Sequence, residues 1–300
     1  MSNDNVILSK ETIKKIQTKL GLEADGIIGP MTIAAIKNFQ TKFKLKVSGA
    51  IDTDTFSTMF PEIESPSISS DLSETVTDNL IHQYKLPKGE YYQEDTNKTS
   101  IYIHHTAGWN NPYNVIDSWA RDTRGRIGTH YVIGGINPVT GDASYDGIVL
   151  QCCDDSDWIH HLGVKNAKLD KYSIGIELCN FGYLQTTNNG YVTYTNAKVL
   201  PNYIHKLNFK FRNYLYWQDY SDKQLQSLNK LLLLLAKKHN IDIKRGLNQY
   251  LKTQSASDAF GFKEDVLKNA SPGLYTHTNV RMDKTDCYPN STLIQLLNNL

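Results

Sequence analysis

The chain has 300 residues, enough for one large domain or two smaller ones with a sizeable core. Apolar residues make up 40% and charged residues 21%, with a formal net charge of +1, so nothing in the charge balance calls for nucleic acid or anionic lipid. The longest apolar run, Leu231 to Ala236, falls far short of the roughly 20 residues needed to cross a bilayer, which argues against membrane insertion.

The segment Met1 to Val6 has neither a basic n-region nor an apolar h-region, so no cleaved secretory signal is expected. The protein is expected to be made in the cytoplasm, and work outside it needs another route of release. From Ser9 to Phe60 the pattern is that of a small helical unit, within an expected domain 1–60. Ile13, Ile16 and Leu20 recur at helical spacing, and Asp25 to Pro30 is a turn cluster. Ile33, Ile36, Phe39 and Phe43 continue a helical stripe. The same logic then repeats: Val47 to Asp52 turns, and Thr53 to Met59 makes a short helix. Residues 61–79, rich in serine, proline and acidic side chains, read as a solvated linker.

A second domain, 80–300, mixes strands and helices. Thr99 to His104, Gly128 to Gly134 and Tyr172 to Asn180 read as strands, and Val115 to Arg121 as a helix. Ser221 to Asn240 reads as a long helix, with Ser221 as N-cap. The expected fold class is α/β, with a sheet flanked by helices. Phe181 to Tyr220 is rich in aromatics and reads equally as a groove wall or as a lid that packs its own rings. Of the four cysteines, Cys152, Cys153 and Cys179 read as small buried residues, since neither count nor spacing suggests a disulfide framework.

Cys287 has different company. The run from Thr276 to Pro289 holds His277, Lys284, Asp286 and Cys287 within one loop-length, and far upstream stands Ile103-His104-His105-Thr106. Together they can give two imidazoles and one thiolate or carboxylate to a metal. Three protein ligands leave the fourth position of a tetrahedral zinc open, which marks a catalytic site. Strand alternation adds a carboxylate. If Ile174, Ile176 and Leu178 face the core, Glu177 faces the other way, as His104 does when Ile101 and Ile103 go inward. The expected set is therefore His104, His277 and Cys287 on Zn²⁺, Glu177 as proton carrier, and Lys284 as oxyanion stabiliser. These parts suit amide hydrolysis.

Two resemblances sharpen this reading. Ile16-Gln17, Leu20-Gly21, Asp25 to Pro30, Thr32, Ala35-Ile36 and Phe39-Gln40 resemble a peptidoglycan-binding domain, which implies a three-helix fold that grips wall polymer. The segment from Leu80 onward resembles the zinc-dependent N-acetylmuramoyl-L-alanine amidases, a family that also holds phage lysozyme-type amidases and peptidoglycan recognition proteins. The matching motifs are Ile103 to Ala107, Gly128 to Ile133, Trp158 to Gly163, Ser173 to Leu178 and the His277 to Pro289 loop. The resemblance implies cleavage of the amide between the lactyl group of N-acetylmuramic acid and L-alanine, with bacterial peptidoglycan as substrate and an endolysin or autolysin as the setting. It also implies that His161 lies near substrate or oxyanion. His105 and His130 are expected to support or pack rather than ligate. Thr129 stands where some members carry a tyrosine, which leaves the base role to Glu177. Some relatives use an aspartate two residues after the lysine, here Asp286, where others use a cysteine. The softer thiolate favours Cys287, with Asp286 as competitor. The alternatives are a non-catalytic recognition protein and a zinc endopeptidase of the stem peptide.

Overall fold

The computed structural model describes residues 10–24, 26, 30–49, 51, 53–61, 80–188 and 190–300. The N-terminal segment read for a signal, most of the first turn cluster and linker residues 62–79 lie outside them. The chain forms two compact units, residues 1–80 and 81–300.

The first unit holds α1 (Lys10–Lys19), α2 (Pro30–Lys42) and α3 (Thr53–Met59). Ile13, Ile16, Ile36, Ile51 and Met59 form its core. The repeated sequence logic is a repeated structure. Gln17 Oε1 accepts the Gly26 N–H at 2.7 Å and its amide donates to Thr32 Oγ1 at 3.2 Å. Gln40 makes the same two bonds at the same spacings, to the Gly49 N–H at 2.8 Å and to Thr55 Oγ1 at 3.1 Å. Gly26 and Gly49 share a φ of 77°, a left-handed value that glycine adopts without steric cost.

The second unit is built on a six-stranded sheet. In chain order it contains β1 (Ile81–Gln83), β2 (Ser100–His105), α4 (Pro112–Trp119), β3 (Tyr131–Ile133), β4 (Val149–Gln151), α5 (Ala167–Lys171) and β5 (Ser173–Leu178). Two hairpins follow: β6 (Gln185–Thr187) with β7 (Gly190–Val192), and β8 (Ile204–Phe211) with β9 (Tyr214–Gln218). The rest is α6 (Asp222–His239), α7 (Leu247–Thr253), α8 (Ala256–Ala259), α9 (Glu264–Asn269), β10 (Gly273–Thr276) and α10 (Ser291–Asn298). Sheet order is β1-β4-β3-β5-β2-β10, parallel except where β3 meets β4.

The central strands are buried on both faces, as parallel strands covered by helices must be. On one face Val132 and Leu150 pack with Ile116 of α4. Tyr131, which points the other way, donates its hydroxyl to Asp155, and Asp155 is held by Lys238 and His239 of α6. The sequence marks the ends of α6. The Ser221 hydroxyl accepts from the Gln224 N–H at 2.9 Å, and Asn240 closes the helix at a left-handed φ of 53°. No described helix is long and apolar enough to cross a membrane. The aromatic stretch 181–220 forms the two hairpins and packs rings together. Tyr183 stacks on Tyr214 at 3.8 Å, and Tyr288 stacks on Trp217 at 4.5 Å and on Tyr220 at 5.1 Å.

Candidate active site

The register places the chemistry. His104 on β2 is the direct partner of Glu177 on β5. Thr276 on β10 pairs with Ile103, so His277 leaves the sheet beside His104. All three strands run parallel and end at one edge, where open α/β sheets hold their sites.

At that edge three donor atoms converge. His104 Nδ1 and His277 Nδ1 lie 3.1 Å apart, and Asp286 Oδ2 is 2.9 Å from His277 Nδ1 and 3.2 Å from His104 Nδ1. Among the described residues these three form a group able to hold a metal ion, and Cys287 is not in it. The Cys287 thiol is fully enclosed instead and bonds with the Tyr220 hydroxyl. Burial pushes its pKa well up, and the neighbouring Asp286 charge adds to the shift.

Hydrogen bonds behind the cluster fix both rings. The His277 Nε2–H donates to the Leu162 carbonyl at 2.9 Å, which turns Nδ1 toward Asp286. Ser173 gives its hydroxyl proton to the Leu169 carbonyl, so its oxygen accepts from His161 Nε2–H at 2.8 Å. His161 Nδ1 is then an acceptor and takes the His104 Nε2–H at 3.0 Å, which leaves His104 Nδ1 bare. Burial keeps His104 neutral, lowering its pKa to about 4, and lowers His161 well below its ordinary value. Two bare ring nitrogens and a carboxylate oxygen form a near-equilateral triangle of donor atoms. A tetrahedral zinc with bonds of 2.0–2.1 Å sets its ligands about 3.3 Å apart, so the donor set fits that ion. Burial works against the charge of Asp286, but His277 and His104 outweigh it and hold the carboxyl well below the usual range.

The other expected residues fall as follows. Glu177 is half-buried with Oε2 fully enclosed and without a partner. Burial raises its pKa well above the ordinary carboxyl value, Asp286 adds to this, and Lys284 opposes it. Lys284 is half-buried, near enough for its charge to reach both Glu177 and His104. The His161 side chain is sealed in, and its Nδ1 lies 3.0 Å from His104 Nε2. His105 points away, toward the Tyr220 hydroxyl at 3.3 Å. His130 donates from Nε2 to the Asp157 carbonyl and accepts the Gly175 N–H, a packing role. The Thr129 hydroxyl is committed to the Tyr131 carbonyl at 2.9 Å.

Three contributors escaped the sequence reading. Ser173 anchors the histidine relay, although it heads a motif already noted. Buried Asp170 accepts the backbone N–H groups of His161 and Leu162 at 3.1 and 2.9 Å, which aims the Leu162 carbonyl at His277. Arg281 donates to the carbonyls of Leu162 and Gly163.

A mixed sheet thus carries a His–His–Asp cluster and an enclosed carboxyl at its strand ends, parts that suit hydrolytic chemistry. Residues 94–287 match the N-acetylmuramoyl-L-alanine amidase family, and residues 21–59 match the peptidoglycan binding domain family. The chain belongs to the N-acetylmuramoyl-L-alanine amidases and is a peptidoglycan hydrolase. Solved structures similar to it include PlyL, at 11% identity over 67% of this chain and 84% of that one, with a TM-score of 0.38. The N-acetylmuramoyl-L-alanine amidase LysC from Clostridium intestinale is similar at 14% identity over 72% and 93%, with a TM-score of 0.38. The endolysin of Thermus scotoductus bacteriophage Ph2119 is similar at 14% over 72% and 97%, with a TM-score of 0.36. No curated protein sequence matches.

Proposed function

We propose that the amidase is zinc-dependent, with the ion held by His104 Nδ1, His277 Nδ1 and Asp286, rather than by Cys287 as third ligand. The observation that carries this is the triangle of donor atoms whose protons are committed elsewhere. Bound there, zinc would supply Lewis acidity and would lower the pKa of an attacking water. Glu177 takes the proton of the attacking water and hands it to the leaving amine of L-alanine. Its enclosed Oε2 and raised pKa suit a group that must hold a proton near neutral pH. Lys284 stabilises the charge that develops on the carbonyl oxygen. Residues 1–60 hold the wall, joined by 61–79 to the catalytic domain 80–300, and tethering raises the local concentration of scissile bonds. The setting is an endolysin or autolysin, made in the cytoplasm and acting on the wall after release.

The test is metal analysis with mass spectrometry of products from purified walls. Wild type should carry one zinc and release stem peptides with free L-alanine amino termini. Asp286→Ala should lose the zinc, while Cys287→Ser should keep it. Products cut within the stem peptide would indicate an endopeptidase, and wall binding without any product a recognition protein. Zinc lost from Cys287→Ser but kept by Asp286→Ala would reverse the ligand assignment.

A further inference from the structure

We propose that Arg212 is a positioning residue for this site: from the tip of the β8–β9 hairpin its guanidinium fixes the loop that carries His277, Lys284 and Asp286. The proposal rests on the zinc reading above for its consequence, but not for its geometry.

The first observation is a local misfit. Phe211 pairs with Tyr214, so the hairpin turns on only two residues, Arg212 and Asn213, with φ values of 50° and 71°. Two-residue turns with both torsions left-handed favour asparagine and glycine. Arginine in the first position strains the backbone, and such strain persists where surrounding contacts hold it.

The second observation is what holds it. Arg212 donates from one terminal nitrogen to the Met282 carbonyl at 2.6 Å, and from the other to the carbonyls of Thr278 and Arg281 at 3.1 and 3.3 Å. The Thr278 carbonyl lies within the short 3₁₀ turn His277–Asn279, and those of Arg281 and Met282 follow just beyond it. A cation is favoured where carbonyls gather at a helical C-terminus. The fork touches only backbone there, so it sets the path of the loop whatever its side chains. Met282, at the clamp, is 67% exposed and packs little. The loop is closed by the Thr278 N–H to the Asp286 carbonyl at 3.0 Å, so holding Thr278 also holds the carboxylate end. Arg281 ties the same loop to Leu162 and Gly163 on another side. A metal site needs its ligands held within about 0.5 Å, and two arginines on backbone carbonyls provide that restraint.

The experiment compares wild type, Arg212→Gly and Arg212→Lys in the full chain. Glycine adopts the turn torsions freely, so the hairpin survives its loss of side chain. Amide hydrogen exchange is measured on the metal-free protein, zinc affinity by chelator competition, and thermal unfolding as a folding control. For Arg212→Gly, the amides of 278–286 should exchange about tenfold faster and zinc affinity should fall about tenfold. Arg212→Lys should lie between, because an ammonium lacks the planar fork. Loop exchange and zinc affinity both within twofold of wild type would overturn the proposal. So would faster exchange spread evenly over residues 81–300, which would mean a general structural role. If wild type takes up no zinc, the metal reading fails while loop exchange still decides the clamp.

Discussion

Replacing Gly175 with alanine probes the relay behind His104. An added Cβ would lie 2.9 Å from Thr129 Cγ2 and 3.0 Å from both Cγ and Nδ1 of His161. Comfortable carbon contacts lie at about 3.5–4.0 Å, so the ring must retreat by about 0.5 Å. The edge that is pushed carries the nitrogen that bonds His104 Nε2 at 3.0 Å. A retreat of that size takes the pair past useful hydrogen-bond length. The His104 N–H is then buried and unsatisfied, at a cost of about 1–3 kcal/mol. That matches the roughly 10–100-fold loss of metal affinity expected when a ligand's supporting bond is broken. Chelator competition reads the affinity, and thermal unfolding of the metal-free variant checks that it folds. Affinity within twofold of wild type in a folded variant would refute the claim that His161 holds His104.

Other expectations follow from the same geometry. Glu177→Gln should keep zinc and fold but lose turnover, by at least about 100-fold for a lost proton carrier, in single-turnover kinetics; turnover near wild type would remove Glu177 from the chemistry. Burial holds His104 and His105 at about 4 against an ordinary 6.5, so the unfolded chain binds protons that these folded rings refuse. The stability of the metal-free protein should therefore be full above pH 6.5 and lost as pH falls through 4, in thermal melts across that window. A profile flat from pH 7 to 4 would contradict the burial. Gln40→Ala removes the acceptor for the Ser48 and Gly49 N–H groups at 3.0 and 2.8 Å, costing about 1–3 kcal/mol. Wall binding should weaken while turnover of soluble muropeptides is unchanged. Equal loss of both would show that residues 1–60 do more than tether.

Strand alternation is enough to bring His104 and Glu177 together. Period two in Ile101 to His104 and Ile174 to Leu178 put His104 and Glu177 on one face, and the β2–β5 register makes them direct partners. The choice between Asp286 and Cys287 was not legible in that way. Donor softness favoured the thiol, but neighbouring side chains in a loop diverge, and Tyr220 takes the sulfur while both imidazoles take the carboxylate. The motif alone places His161 near substrate or oxyanion. Its place behind His104 depends on Ser173 and on the bare edge of Gly175, which only packing reveals. Arg212 gave no signal at all, because an arginine in a left-handed turn contradicts the local rule that sequence reading relies on.

His104 and His277 stand 173 residues apart in the chain, yet their nitrogens almost touch. Closing so wide a gap is slow and yields nothing until the intervening elements are in place. A polypeptide that stops short of residue 277 lacks both His277 and Asp286, and so cannot assemble the proposed metal cluster, whatever the rest of its sheet has achieved.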